Sequence, residues 1–231
     1  ENHDEIFNQY WTVKYDGRVG WEVTSRILRD QSGFLEVMKV CEVLKQVAGM
    51  HDLKLNFKTG THIHLGWKPA DLDSVLSLIT LVKILEPAIA SLISPSRIAH
   101  TEDGWNYELR RPNEYCHPIS LVFPKEEMEA IEDYDEIYEF CGEHDDRYAS
   151  VNLRPLFYQG TVEIRLHNGT IDASKILLWI SLWQQTLWLA ERIEASSLEH
   201  PKDRSVINPH GDIIQILKDL GVPGMINSRF T

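Results

Sequence analysis

The chain has 231 residues, 43% hydrophobic and 25% charged, which is material for a single globular domain spanning residues 1–231. Lys and Arg number 23 against 35 Asp and Glu, a formal net charge of −12, which argues against nucleic acid and against an anionic membrane surface as partners. Cys41, Cys116 and Cys141 are odd in number and lack metal-ligand spacing. With no bilayer-length apolar run and no signal-like opening, they point away from a disulfide framework and toward the cytoplasm.

In chain order, Tyr10 to Tyr15 alternates polar and apolar residues, and Asp16-Gly17 marks a turn. Val19 to Ser25 reads as a second strand, with Trp21 and Val23 on one face and Glu22 and Thr24 on the other. Phe34, Met38, Cys41, Leu44 and Ala48 recur at helical spacing, and Gly49 is expected to close that helix. Leu53, Leu55 and Phe57 alternate as in a strand, and Thr61-His62-Ile63-His64-Leu65 follows as another. Asp71 or Asp73 can cap a long apolar helix that runs to about Leu92 and is broken by Ser94-Pro95-Ser96-Arg97. His100 to Pro118 reads as a loop over the site, and an acidic helix is expected from about Glu126 to Phe140. Tyr148–Leu153 and Thr161–His167 read as adjacent strands joined around Tyr158-Gln159-Gly160. A helix carrying Trp179, Trp183 and Trp188 follows to about Ala195, and Ile213–Leu220 is a last short helix. There is no internal repeat and no low-complexity linker. The order implies an α+β domain: a largely antiparallel, curved sheet with helices on one face.

Side chains at i and i+2 of a strand share a face. His62 and His64 therefore stand side by side, as do Glu163, Arg165 and His167, with Val162, Ile164 and Leu166 turned the other way. Imidazole and carboxylate can ligate a divalent ion, and the guanidinium fork suits phosphate oxygens. Each motif also has an ordinary reading. An exposed Glu–Arg pair contributes only about 0–1 kcal/mol, and alternating histidines occur on solvated faces. Glu22 alone reads as a surface residue, and Arg97 as a cation favoured at a helix C-terminus. The tryptophans read as core, the acidic run as a solvated face and the cysteines as small buried hydrophobes. No glycine-rich phosphate loop is present, so a nucleotide would have to be held by side chains and metals on the sheet face.

Five blocks in order carry a resemblance. They are Asp16-Gly17 with Gly20 to Leu28, Thr61 to His64, Pro95-Ser96-Arg97, Arg147 to Leu153, and Gly160 to Thr170. Together, from about Trp11 to the Leu220–Arg229 tail, the chain resembles the amidoligase family, within the glutamine-synthetase-like carboxylate–amine ligases. The resemblance implies ATP and Mg2+ as cofactors and a glutamine-synthetase-like catalytic domain. It implies that Glu163, His62 and Glu22 hold the metal, and that His64 and Arg165 contact the nucleotide phosphates and the transferring phosphoryl group. Arg97 and Asn152 fall in patterned blocks and are expected to position substrate or phosphate. Two departures stand out. The family opens with a Gly-x-Glu-x-Glu strand, and nothing like it precedes Trp11, so residues before Glu1 are expected to supply it. Tyr115-Cys116 follows Arg97 only after an apparent insertion with Arg110 and Arg111, either of which could replace Arg97 in the site.

The expected activity is ATP-dependent ligation of a carboxylate to an amine, on an amino acid, a peptide or a protein side chain, through an acyl phosphate. A metal-dependent hydrolase using His62 and His64, and a non-catalytic binding module, are the alternatives.

Overall fold

The computed structural model describes residues 11–17, 20–56, 59–69, 71–90, 92–94, 97, 116–143 and 146–198. Arg110, Arg111, Tyr115, most of the expected loop, the Ile213–Leu220 helix and the Leu220–Arg229 tail lie outside them. The chain divides into two compact units, residues 1–59 with 169–179 and residues 60–168 with 180–231.

In the first unit, β1 (Trp11–Asp16) and β2 (Gly20–Ser25) form an antiparallel hairpin in which Val13 faces Val23 and Tyr15 faces Trp21. Helix α1 (Asp30–His51) is longer than its periodic core suggested. It runs through Gly49 and stops at Asp52, which takes the left-handed conformation and donates its N–H to the Ala48 carbonyl. Its buried positions are Gly33, Val37 and Cys41, whereas Phe34 and Met38 are exposed, so the inward stripe lies beside the expected one. Residues 53–56 form no strand, and Leu53 and Leu55 are both exposed. Phe57, the third residue of that expected strand, lies outside the described residues; Leu53 and Leu55, with no ladder partner among them, do not hold one.

The second unit is built on a separate antiparallel sheet of order β3–β5–β4: β3 (Gly60–Gly66), β5 (Thr161–Asn168) and β4 (Val151–Asn152). The expected continuous sheet is therefore two sheets, and neither closes. The row Ile63, Ile164 and Val151 faces the core, with Ile164 and Val151 fully buried. Helix α2 (Leu72–Ala90) starts at Asp71, whose carboxylate accepts from the Ser74 N–H at 2.9 Å and hydroxyl at 2.8 Å. Val75, Leu78, Ile79, Leu81, Val82 and Leu85 point to several sides of α2, and all are buried, as expected of a helix through a core.

After the short helix α3 (Ile119–Val122), the expected acidic helix is two, α4 (Lys125–Met128) and α5 (Tyr134–Glu143). A capping box separates the last two. The Asp133 carboxylate accepts from the Glu136 N–H at 2.9 Å, and the Glu136 carboxylate reaches back to the Asp133 N–H at 3.4 Å. The expected strand over Tyr148–Leu153 contracts to β4, preceded by a 3₁₀ turn at Asp146–Tyr148. Its link to β5 contains helix α6 (Arg154–Gln159), ended by Gly160 at φ 66°. Helix α7 (Ala173–Ala190) contributes residues to both units; Trp179 and Trp183 are buried, and Trp188 is exposed. Among the described residues, no helix is long and apolar enough to cross a membrane.

Candidate active site

Register alone brings three site residues into line. His64 on β3 and Asn152 on β4 both sit opposite Glu163 on the central strand β5. Opposite residues of antiparallel strands share a face, so the three side chains form one cross-strand row. His62 and Arg165 flank that row. The pairing then slips: Thr61 faces His167 and Ile63 faces Ile164, so Arg165 and Leu166 together oppose His62. This β-bulge puts His167 in phase with Thr61 and Ile63, not with Arg165 as strict alternation predicted. His167 is buried, and its Nδ1 lies 2.6 Å from the Asn168 carbonyl.

Glu163 is the centre. Its Oε1 accepts from Arg165 Nη1 at 2.7 Å and lies 3.3 Å from His62 Nδ1 and 3.8 Å from His64 Nε2. Its Oε2 accepts from Asn152 Nδ2 at 2.7 Å. The Glu163 side chain is 9% exposed, while those of His62 and His64 are 37% and 44% exposed. The carboxylate lies under the imidazoles. Burial pushes its pKa up. The His62 hydrogen bond, the Arg165 charge and the Asn152 hydrogen bond outweigh that and hold it at about 2. Burial lowers the pKa of His64; Glu163 opposes that, while His62 and Arg165 reinforce it. His64 Nδ1 also lies 3.3 Å from Thr161 Oγ1.

Asn152 spends both ends of its amide inside the protein, since its Oδ1 accepts from the Arg154 N–H at 3.0 Å. It is 3% exposed and fixes Glu163 to the start of α6. Arg97 is equally buried, and its Nη2 donates to the Arg165 carbonyl. Glu22 belongs to the first unit, on β2, with its carboxylate 3.9 Å from Lys14 Nζ. A cavity of about 730 Å³ opens at Gly66, two residues beyond His64 on β3, and at Gly160, just before β5, and is walled by Trp67, Leu72, Tyr134 and Leu156.

Among the described residues, no three His, Cys, Asp or Glu side chains form a group placed to hold a metal ion. Glu163 Oε1, with His62 Nδ1 at 3.3 Å and His64 Nε2 at 3.8 Å, would offer a cation one carboxylate oxygen, so phosphate and water would have to complete its shell.

Glu86 was not singled out in the sequence. It is buried on α2, accepts from the Ile119 N–H at 3.0 and 3.1 Å and from the Ser150 hydroxyl, and burial drives its pKa up to about 7 against those bonds. A lone glutamate within an apolar helical run was the available signal.

The sequence model of the family described as "Putative amidoligase enzyme" matches residues 3–188, and the chain belongs to that family. At the coarse level this makes it a ligase of the amidoligase kind. The match ends short of the Leu220–Arg229 tail. No curated protein and no solved structure matches the chain.

Proposed function

We propose that this chain is an ATP-dependent carbon–nitrogen ligase on a glutamine-synthetase-like fold, forming an amide or isopeptide bond through an acyl phosphate. One observation carries the reading: in a chain of the amidoligase family, His62, His64, Asn152 and Arg165 converge on one ionised, buried Glu163.

A carboxylate resists attack by an amine. In the first step its oxygen attacks the terminal phosphorus of ATP and ADP leaves. In the second, the amine nitrogen attacks the acyl carbon, phosphate leaves, and the nitrogen gives up a proton. Both steps depend on positioning and on neutralising phosphate charge. Arg165 grips a phosphate oxygen while one nitrogen stays on Glu163, as an arginine fork can. His64, exposed above Glu163, donates to the phosphates. Glu163 and His62 would hold Mg2+, which would neutralise phosphate oxygens, and the family resemblance would add Glu22 as a further carboxylate. The cavity beyond Gly66 and Gly160 takes the non-reacting part of a substrate.

The test is a screen of pooled carboxylates and amines with ATP and Mg2+. ADP and phosphate should form in step with an amide, and Glu163→Gln should abolish the product. Amide or ester hydrolysis without nucleotide would establish the hydrolase instead. Absence of nucleotide binding would leave a binding module.

A further inference from the structure

Arg97 sits in a block that the family resemblance ties to substrate or phosphate, yet it is 3% exposed and its guanidinium faces backbone. Three observations meet there. The Arg165 carbonyl lies at the β-bulge, where β5 carries two residues against one on β3. That carbonyl accepts from Arg97 Nη2, and the Cys116 thiol lies 3.7 Å from it. The guanidinium also lies against Gly60 so closely that a Cβ there would come 2.9 Å from Nη2 and 3.1 Å from both Cζ and Nη1. Burial keeps Cys116 a thiol, able to donate, with its pKa raised to about 12. Among the described residues, no carboxylate pairs with Arg97, and its Nε has no partner.

We infer that Arg97 is a positioning residue: with Gly60 and Cys116 it clamps the Arg165 carbonyl and so steadies the bulged backbone from which the Arg165 guanidinium reaches Glu163. A bulge re-aims the side chains beside it. Arg97 donates to the Arg165 carbonyl, and Gly60 leaves the space for its guanidinium. Cys116 reaches the same carbonyl from beyond the insertion. The clamp serves the ligase reading, but its existence does not depend on that reading.

The test therefore uses the protein without nucleotide. The probe is the Arg165 guanidinium N–H resonances in nitrogen-15 NMR, assigned by their disappearance in Arg165→Lys. In the native chain they should exchange slowly with water, because Glu163 holds them. Arg97→Lys keeps the charge and loses the planar fork; it should speed that exchange by about tenfold or more, in line with the loss of a charged hydrogen bond. Gly60→Ala should do the same, since its Cβ occupies the guanidinium's space, and in the Arg97→Lys background it should add nothing. If Arg97→Lys fails to fold, Gly60→Ala carries the test alone. Cys116→Ser, which keeps a donor, should leave the resonances in place. Unchanged Arg165 resonances in folded Arg97→Lys or Gly60→Ala protein would overturn the clamp. Failure of the ATP screen with these shifts intact would overturn only the ligase reading.

Discussion

Glu163 and Glu86 lie in the same unit and are nearly equally buried, yet their acidities stand on opposite sides of an ordinary glutamate. Glu163 is held at about 2 and Glu86 is raised to about 7. Desolvation raises both; the partners decide the outcome. Glu163 has a guanidinium at 2.7 Å and an imidazole at 3.3 Å beside its amide donor. Among the described residues, Glu86 meets neutral donors, the Ile119 and Ser120 N–H groups and the Ser150 hydroxyl. A buried carboxylate surrounded by dipoles helps build a fold; one matched to a cation is already prepared for charged chemistry. The two regions are also connected, because the Ser150 carbonyl accepts from the Arg165 N–H at 2.9 Å.

The strongest way to break this contrast is to remove the cation. Arg165→Met should turn Glu163 into a Glu86-like group, with its pKa rising well above about 2. An unpaired buried charge is costly, so the variant should lose about 3 kcal/mol of stability at pH 7, read by denaturant titration. Its affinity for a non-hydrolysable ATP analogue with Mg2+, measured by calorimetry, should also collapse. Arg165→Lys should recover only part of either loss, because a point charge does not replace the fork. Unchanged nucleotide affinity in Arg165→Met would remove the phosphates from this strand face.

The contrast also predicts opposite pH slopes. Glu163 is more acidic folded than its ordinary 4.5, so its contribution is complete above about pH 4.5 and is lost as pH falls toward 2. The interval amounts to about 3 kcal/mol. Glu86 is less acidic folded, so its contribution is complete below about pH 4.5 and is lost as pH rises through 7. Glu86→Gln, which cannot ionise, should match the native chain near pH 5 and exceed its melting temperature near pH 8. Parallel melting curves for the two proteins across that range would show that Glu86 does not titrate there.

Asn152→Ala gives a smaller effect. It removes a hydrogen bond to a charged, buried carboxylate and should cost about 2 kcal/mol in chemical denaturation. It should also raise the Glu163 pKa, which Asn152→Asp would raise further by placing a second carboxylate 2.7 Å away. A Glu163 titration, followed by carbon-13 NMR, that does not move in Asn152→Ala would separate Asn152 from the site.

Much of this geometry is legible along the chain because it is local. His62 and His64 share a face by strand period, and Val162, Ile164 and Leu166 are buried as their alternation predicts. The bulge is not legible: Glu163-Ile164-Arg165-Leu166-His167 alternates without interruption, and only pairing with β3 shows that His167 has changed sides. The role of Arg97 is hidden for a related reason, since its partners are a carbonyl and the missing Cβ of Gly60. No side-chain pattern reports either. Asp133 and Glu136 form a capping box inside the charge run that reads as one helix from Glu126 to Phe140, so the helix start at Tyr134 is hidden there. Leu53 and Leu55 alternate as a strand would and form none, because pattern cannot supply a ladder partner.

Glu22 gives the smallest expected change in stability and the sharpest test of function. It is a strand glutamate like Glu163, but 48% of its side chain is exposed, and its partner is the 61% exposed Lys14 at 3.9 Å. Such a pair contributes at most about 1 kcal/mol, and usually less. Glu22→Gln should therefore leave the denaturation midpoint almost unchanged. The family resemblance makes the same residue a metal carboxylate, and under that reading the variant should need much more Mg2+ to reach half-maximal ATP turnover. A folding defect is too small to imitate that result, so the two readings separate in one pair of measurements. A normal Mg2+ requirement in Glu22→Gln would reduce the metal ligands to Glu163 and His62, and leave Glu22 as a solvated strand residue paired with Lys14.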